Sequence, residues 1–411
     1  MKKTSSLVKA SLAPLLADSA SRAVYPMFAL VANGIYPDSI ITYISVSFGF
    51  VPVCASIIAL GIMPQILPQL STDHEKGLEI SFVAVVASLV AASLLATLLA
   101  TLWLITADPE YLRFILVLGV GFLDCLYWVG IFVSMRSASL NSIAWICCLR
   151  CLPLVFLIPF IRGSNFANTL LTLSLLLSLV VAPVASILTR CELRKRFQSY
   201  FSRLPIISSF YLVDRLRLNI GFLCSATVLP LAVSLSRQVA SERLDVNIFV
   251  SVQSISSLFY PFLALSSALP LVLTRLFHKT SLGMVRAFQV VLLVSTIAAF
   301  LSYFLANIFT LGSPLYSSLP VRGNMVALCA ISVWCANLYP VFSYFLFMRG
   351  WVRQITLCLS CSALISYLMF IALFSAFPEG MQMQLLAYYS LCLISMLFVS
   401  VFKYYSPRHR Q

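Results

Sequence analysis

Leu170-Leu-Thr-Leu-Ser-Leu-Leu-Leu-Ser-Leu-Val-Val-Ala-Pro-Val-Ala-Ser-Ile-Leu188 contains no charged residue. A helix of that length rises about 1.5 Å per residue and spans nearly 30 Å, the thickness of bilayer hydrocarbon. Apolar and polar residues do not alternate along it, so it does not read as a strand of a transmembrane barrel. The composition repeats the message at the scale of the whole chain: of 411 residues, 61% are apolar and 10% charged. A soluble domain holds about 45–50% apolar and about 25% charged residues. The sequence therefore predicts an all-α, polytopic membrane protein.

Further apolar runs lie between polar punctuation, near residues 10–31, 44–67, 80–105, 114–133 and 143–161 before this stretch. After it come 206–235, 248–273, 287–311, 325–347, 355–377 and 385–402. Twelve spans result, as two six-helix lobes: residues 1–189, a basic cytoplasmic linker at 190–205, and residues 206–411. An even number of spans puts both termini on one side. Eighteen Lys and Arg fall on that side, against Arg162, Arg237, Arg243 and Arg322 in the opposite loops. The positive-inside rule makes both termini cytoplasmic. Lys2, Lys3 and Lys9 imitate a signal peptide, but Lys9, Asp18 and Arg22 interrupt its apolar core, and the segment reads as a retained first helix.

The formal charge of +14 does not point to nucleic acid, because no basic patch on a soluble surface accompanies it. Most of the 12 cysteines sit inside apolar runs and read as small packing residues. A shift of 209 residues lays Pro52, Ala55, Ala59 and Leu60 on Pro261, Ala264, Ala268 and Leu269. A shift of 210 lays Cys148-Leu149-Arg150-Cys151 on Cys358-Leu359-Ser360-Cys361. Both shifts suggest parallel duplicated halves. The two Cys-x-x-Cys pairs are too far apart, and too apolar in setting, for a zinc site. Pro52, Pro64, Pro68, Pro261 and Pro270 are candidate hinges, although kinks are common in membrane helices generally.

Charge inside a span costs about 2.5–3.5 kcal/mol on the insertion scale, so each such residue needs compensation. Asp18 and Arg22 stand four apart and can pair on one face. Asp214 and Arg217 stand three apart, with Arg215 beside them. Near the interface the same pairs would only staple helices. Arg150 has no acid within a helical turn of itself, and either pairs with Asp124 of the fourth span or offers a planar fork to phosphate. Cavity candidates thus run to Arg22, Arg150, Arg215 and Arg217 for substrate, with Asp18, Asp124 and Asp214 for coupling or ion pairing. The excess of arginine points to an anionic substrate. Motifs for phosphate-loop, dinucleotide or nucleophile-elbow chemistry are absent from the sequence, and neither enzyme activity, a cofactor nor a metal is expected.

Phe259-Tyr-Pro-Phe-Leu-Ala-Leu-Ser-Ser-Ala-Leu-Pro-Leu-Val-Leu-Thr-Arg275 resembles the corresponding helix of the multidrug/oligosaccharidyl-lipid/polysaccharide exporter superfamily. Gly61-Ile-Met-Pro-Gln65 is similar to its first-half counterpart. Within that superfamily the chain looks most like the Wzx flippases of O-antigen and capsule. The resemblance implies two lobes around a central cavity of alternating access, in a bacterial inner membrane. It implies an undecaprenyl-diphosphate-linked oligosaccharide as substrate, whose diphosphate the arginines would receive, with a polysaccharide polymerase and a chain-length regulator as partners. Two other readings stand beside it. A cation-coupled multidrug or metabolite exporter of the same superfamily would rely on the acids. A major facilitator transporter would also have six and six spans, but Ser71-Thr-Asp-His-Glu-Lys-Gly77 lacks that family's Gly-x-x-x-Asp-Arg pattern.

Overall fold

A computed structural model describes residues 37–62, 66, 74–137, 216–279, 284–312, 322–348 and 351–405. Every regular element among them is helical. The helices are α1 (Asp38–Gly49), α2 (Val51–Ile58), α3 (His74–Thr106), α4 (Pro109–Ser137), α5 (Leu216–Arg243), α6 (Val246–Lys279), α7 (Met284–Gly312), α8 (Arg322–Met348), α9 (Val352–Met369) and α10 (Gly380–Tyr405). Nine candidate spans lie among the described residues, with α1 and α2 together forming one. They correspond to nine of the twelve predicted spans. The first, fifth and sixth spans, including Leu170–Leu188, lie outside the described residues, as does the expected linker at 190–205. By Cα proximity the described residues fall into two compact units, one up to Pro230 and one from Leu231 onward.

In the first unit, α3 shows the burial pattern that a lipid solvent imposes. Its exposed side carries Val90, Leu94, Leu98 and Ile105, the last 75% exposed, while Ser81, Ala84 and Ser88 are fully buried. A water-soluble helix would do the reverse. Small residues face inward because close helix approach, not apolar transfer, drives association inside a membrane. Each inward hydroxyl finds a partner: Ser81 donates to Gly77 O at 2.7 Å and Ser88 to Ala84 O at 2.6 Å. Ser88 Oγ also meets Cys125 Sγ of α4 at 3.1 Å. Ile58, Ala59, Ala92, Leu118 and Cys125 then close a core among α2, α3 and α4.

The predicted second span is broken. Phe50 separates α1 from α2, with Pro52 in the first turn of α2, where its missing N–H costs nothing. Past α2 the chain turns through Leu60 (φ 49°) and Gly61 (φ 70°). The second of these left-handed positions suits glycine, which has no Cβ to clash. The predicted span ran on to residue 67, whereas the helix stops at Ile58. Its repeat counterpart α6 runs unbroken through Pro261 and Pro270, so the kinks expected in the two halves are not symmetric. Between α3 and α4 the Asp108 carboxylate accepts from Glu110 N at 3.0 Å, and Pro109 starts the helix. Arg113 ties α4 to α1: its Nε donates to Ser47 Oγ at 2.8 Å and its guanidinium lies 4.9 Å from the Tyr43 ring centroid. Glu110 completes the knot at 2.8 Å.

The second unit is organised on α8. Of its membrane-length window 72% lies inside the protein, against 22–44% for the other candidate spans, so α8 is the axis and the rest are its shell. Met325, Val326 and Val333 of α8 are fully buried, packing with Val252, Ile255 and Phe259 of α6 and with Ala298 and Ala306 of α7. On another side Phe342 and Leu346 meet Ile355 and Cys358 of α9 and Met396 of α10. Cys358 of the second Cys-x-x-Cys is thus a core residue, while Cys361 is exposed and both are free thiols. Prolines lie inside α5 at Pro230 and α8 at Pro340, two positions not among the predicted hinges.

Close approach in the first unit can be tested directly. A Cβ added at Gly121 of α4 would stand 2.8 Å from Cys54 Cβ and 3.0 Å from Ala55 N, whereas one at Gly119 would meet nothing within 4 Å. Gly121→Leu should lower stability by roughly 1–3 kcal/mol through overpacking. Gly119→Leu should leave the thermal midpoint of the purified protein unchanged or slightly raised.

Candidate functional site

Of the predicted site residues, Asp124 is the one whose side chain the structure describes. It sits half-buried on α4 and accepts a hydrogen bond from Trp128 Nε1 at 3.2 Å, one turn along the same helix. Trp128 packs edge-on against Tyr127, centroids 5.1 Å apart, and Tyr127 is fully buried. The indole N–H thus orients the carboxylate from within its own helix. Arg217 lies in the first turn of α5. Arg22, Arg150, Arg215, Asp18 and Asp214 lie outside the described residues, and with them the expected pairing of Arg150 to Asp124.

A polar seam that the sequence reading missed runs through the second unit. Arg237 was assigned to a loop, because the apolar run ends at Leu235. The helix continues for eight more residues to Arg243, and Arg237 is a helical, half-buried residue. Its Nη2 donates to Tyr260 Oη of α6 at 2.9 Å. Tyr389 of α10 lies within electrostatic range of both Tyr260 and Tyr339. The rings of Tyr339 and Tyr389 stack, centroids 6.0 Å apart and 23° from parallel, and Tyr388 stands edge-on to Tyr389 at 5.1 Å.

Asn337 of α8, fully buried, donates from Nδ2 to Phe262 O at 3.3 Å and leaves its Oδ1 without a partner in the protein. Four helices thereby contribute a guanidinium, phenols and an amide to an interior otherwise built from Val, Ile, Ala and Met. A guanidinium beside phenolic hydroxyls is a donor set suited to anions, and the ring faces suit the apolar face of a sugar. No local pattern announces this group, since Tyr260, Tyr339 and Tyr389 lie on three helices and meet only through the packing around α8.

The chain has the fold of solved MATE transporters. An outward-facing multidrug resistance MATE family transporter of the MOP superfamily superposes with a TM-score of 0.69 at 16% identity, covering 97% of this chain and 95% of that one. A MATE protein in complex with MaL6 gives 0.67 at 16%, with the same coverage. The eukaryotic MATE transporter AtDTX14 gives 0.66 at 13%, covering 97% and 96%. At these identities the likeness is one of fold. No protein-family model matches the sequence, and no curated protein matches it. Together with the nine membrane-length helices among the described residues, the fold makes the chain a multi-pass membrane protein, as its composition predicted.

Tyr260→Phe removes the acceptor of the Arg237 hydrogen bond while keeping the ring. It should cost roughly 1–2 kcal/mol, seen as a lower thermal midpoint, because a half-buried guanidinium loses its neutral partner. Tyr303→Phe on the exposed face of α7 should cost nothing measurable.

Proposed function

We propose that the chain is a flippase that moves an undecaprenyl-diphosphate-linked oligosaccharide, the repeat unit of an O-antigen or capsule, across a bacterial inner membrane by alternating access. The observation that carries this reading is Arg237 on Tyr260, beside the Tyr339–Tyr389 stack. Such a group matches both halves of the substrate: guanidinium and phenol for diphosphate, ring faces for sugar. The arginines Arg22, Arg150, Arg215 and Arg217 would add positive charge along the path. Both termini would be cytoplasmic, and a polymerase and a chain-length regulator would receive the product. With its chemistry confined to binding and release, the chain would need no cofactor and perform no catalysis.

A multidrug exporter of the same superfamily fits the fold equally, and one observation favours it. Asp124, oriented by Trp128 and set among aromatic rings, is the arrangement that would receive an organic cation.

In a deletion strain of the source bacterium, surface polysaccharide should disappear while the lipid-linked repeat unit accumulates on the cytoplasmic leaflet. The wild-type gene should restore it, and Arg237→Ala and Arg150→Ala should each restore it at least tenfold less well. Unchanged polysaccharide in the deletion strain, with export of a cationic dye that depends on Asp124, would overturn the flippase reading in favour of the exporter.

A further inference from the structure

Pro230 lies inside α5 and has no backbone N–H, so the carbonyl four residues before it, on Ala226, loses the donor that an unbroken helix would supply. In hydrocarbon no water replaces that donor, and a neighbouring side chain has to. Ser56 of α2 does so: its Oγ donates to Ala226 O at 3.2 Å. The division between the two compact units falls at the same proline, with Ser56 and Ala226 in the first unit and Leu231 onward in the second. One helix therefore serves both units, and it lacks a backbone hydrogen bond where it passes from one to the other.

The donor stands on a fixed base. α2 is set off from its neighbours by the break at Phe50 and the left-handed turn at Leu60 and Gly61, yet its packing locks it in place. Ile58 meets Ala92, Leu118 and Cys125, and the step from Cys54 to Ala55 lies so near Gly121 that no Cβ fits between them. The Ser56 hydroxyl has two acceptors, Pro52 O of its own helix at 2.8 Å and Ala226 O of α5 at 3.2 Å. It carries one proton, so strengthening either bond weakens the other. Thr227, next to Ala226, has its Oγ1 buried without a hydrogen-bond partner. A helical threonine commonly donates to the carbonyl four residues back, as Thr97 does to Ser93 O at 2.8 Å. The turn ahead of Pro230 thus holds one shared donor and one unused one.

We propose that α5 hinges at Pro230 and that Ser56 is the positioning residue that sets its bend. While the Ser56 proton lies on Ala226 O, the turn is held in the form seen here. When the proton returns to Pro52 O, the Ala226 carbonyl is released and the second half of α5 is free to change direction. That half carries Arg237, about two turns past the proline. The proposal rests on the alternating-access reading and adds to it the point at which the helix bearing Arg237 turns. A hydrogen bond shared between two acceptors suits such a device, because it gives two arrangements of similar energy instead of one rigid one.

The test uses the full chain purified in detergent and needs no transport substrate, so its failure and the failure of the flippase reading are separate results. Thermal unfolding of Ser56→Ala, Pro230→Ala and the double variant forms a double-mutant cycle. Ser56→Ala alone should lower the midpoint by roughly 2 °C or more, because it leaves a carbonyl without a donor. In the Pro230→Ala background the new alanine N–H meets Ala226 O, and the same substitution should cost less than half as much. Ser56→Thr keeps the hydroxyl and should restore the wild-type midpoint. Hydrogen exchange reads the hinge itself: amides just past Pro230 should exchange roughly fivefold faster in Ser56→Ala and roughly fivefold slower in Pro230→Ala than in wild type. If Pro230→Ala does not fold, the contrast between Ser56→Ala and Ser56→Thr in midpoint and exchange decides alone. A Ser56→Ala that costs nothing, or costs the same in both backgrounds, would overturn the tie. Exchange past Pro230 that ignores the substitutions would overturn the hinge.

Discussion

Hydrocarbon offers no hydrogen bonds, and everything in this structure follows from that. Backbone groups must be satisfied by other backbone, which leaves helices or closed barrels, and unbroken apolar runs of this length choose helices. Apolar side chains gain nothing by turning inward, so Leu94, Leu98, Phe300 and Phe398 face out while Ser88, Ser254, Ser295 and Ser366 face in. Polar side chains then become the specific contacts. Ser88 meets Cys125 across two helices, Arg113 ties α4 to α1, and Arg237 reaches Tyr260.

The same constraint decides what was legible in the sequence. Spans are read from hydropathy, and nine of the twelve correspond to described helices. Ends are less legible, because an apolar window stops at the first polar residue while the helix goes on. Leu235 closed the seventh apolar run, yet α5 continues to Arg243, where it meets Ser375. The converse error fell on the second span, whose apolar run hides the break at Phe50 and the left-handed turn at Leu60 and Gly61. Charged residues within apolar runs were conspicuous in the sequence, Asp124 among them, and in the structure it accepts from Trp128 of the same helix. Arg237 was hidden by the misplaced end, and the tyrosines by their distance apart in the chain. They come together in the packing around α8, the most buried of the candidate spans among the described residues.

Function divides along the same lines. A MATE-type fold supplies a membrane-embedded scaffold with polar residues inside, and the identity of those residues chooses the cargo. Guanidinium and phenol favour an anionic, sugar-bearing lipid; the tryptophan-held carboxylate of α4 favours a cation.

The measurement that tests the central claim most directly is equilibrium binding of an undecaprenyl-diphosphate-linked oligosaccharide to the purified full-length chain, with undecaprenyl monophosphate and a lipophilic organic cation as competitors. The account predicts saturable binding of the diphosphate lipid, weakened at least tenfold by Arg237→Ala and only slightly by Arg237→Lys, with no displacement by the cation. Binding that is indifferent to Arg237, or a cation that displaces the lipid through Asp124, would contradict it.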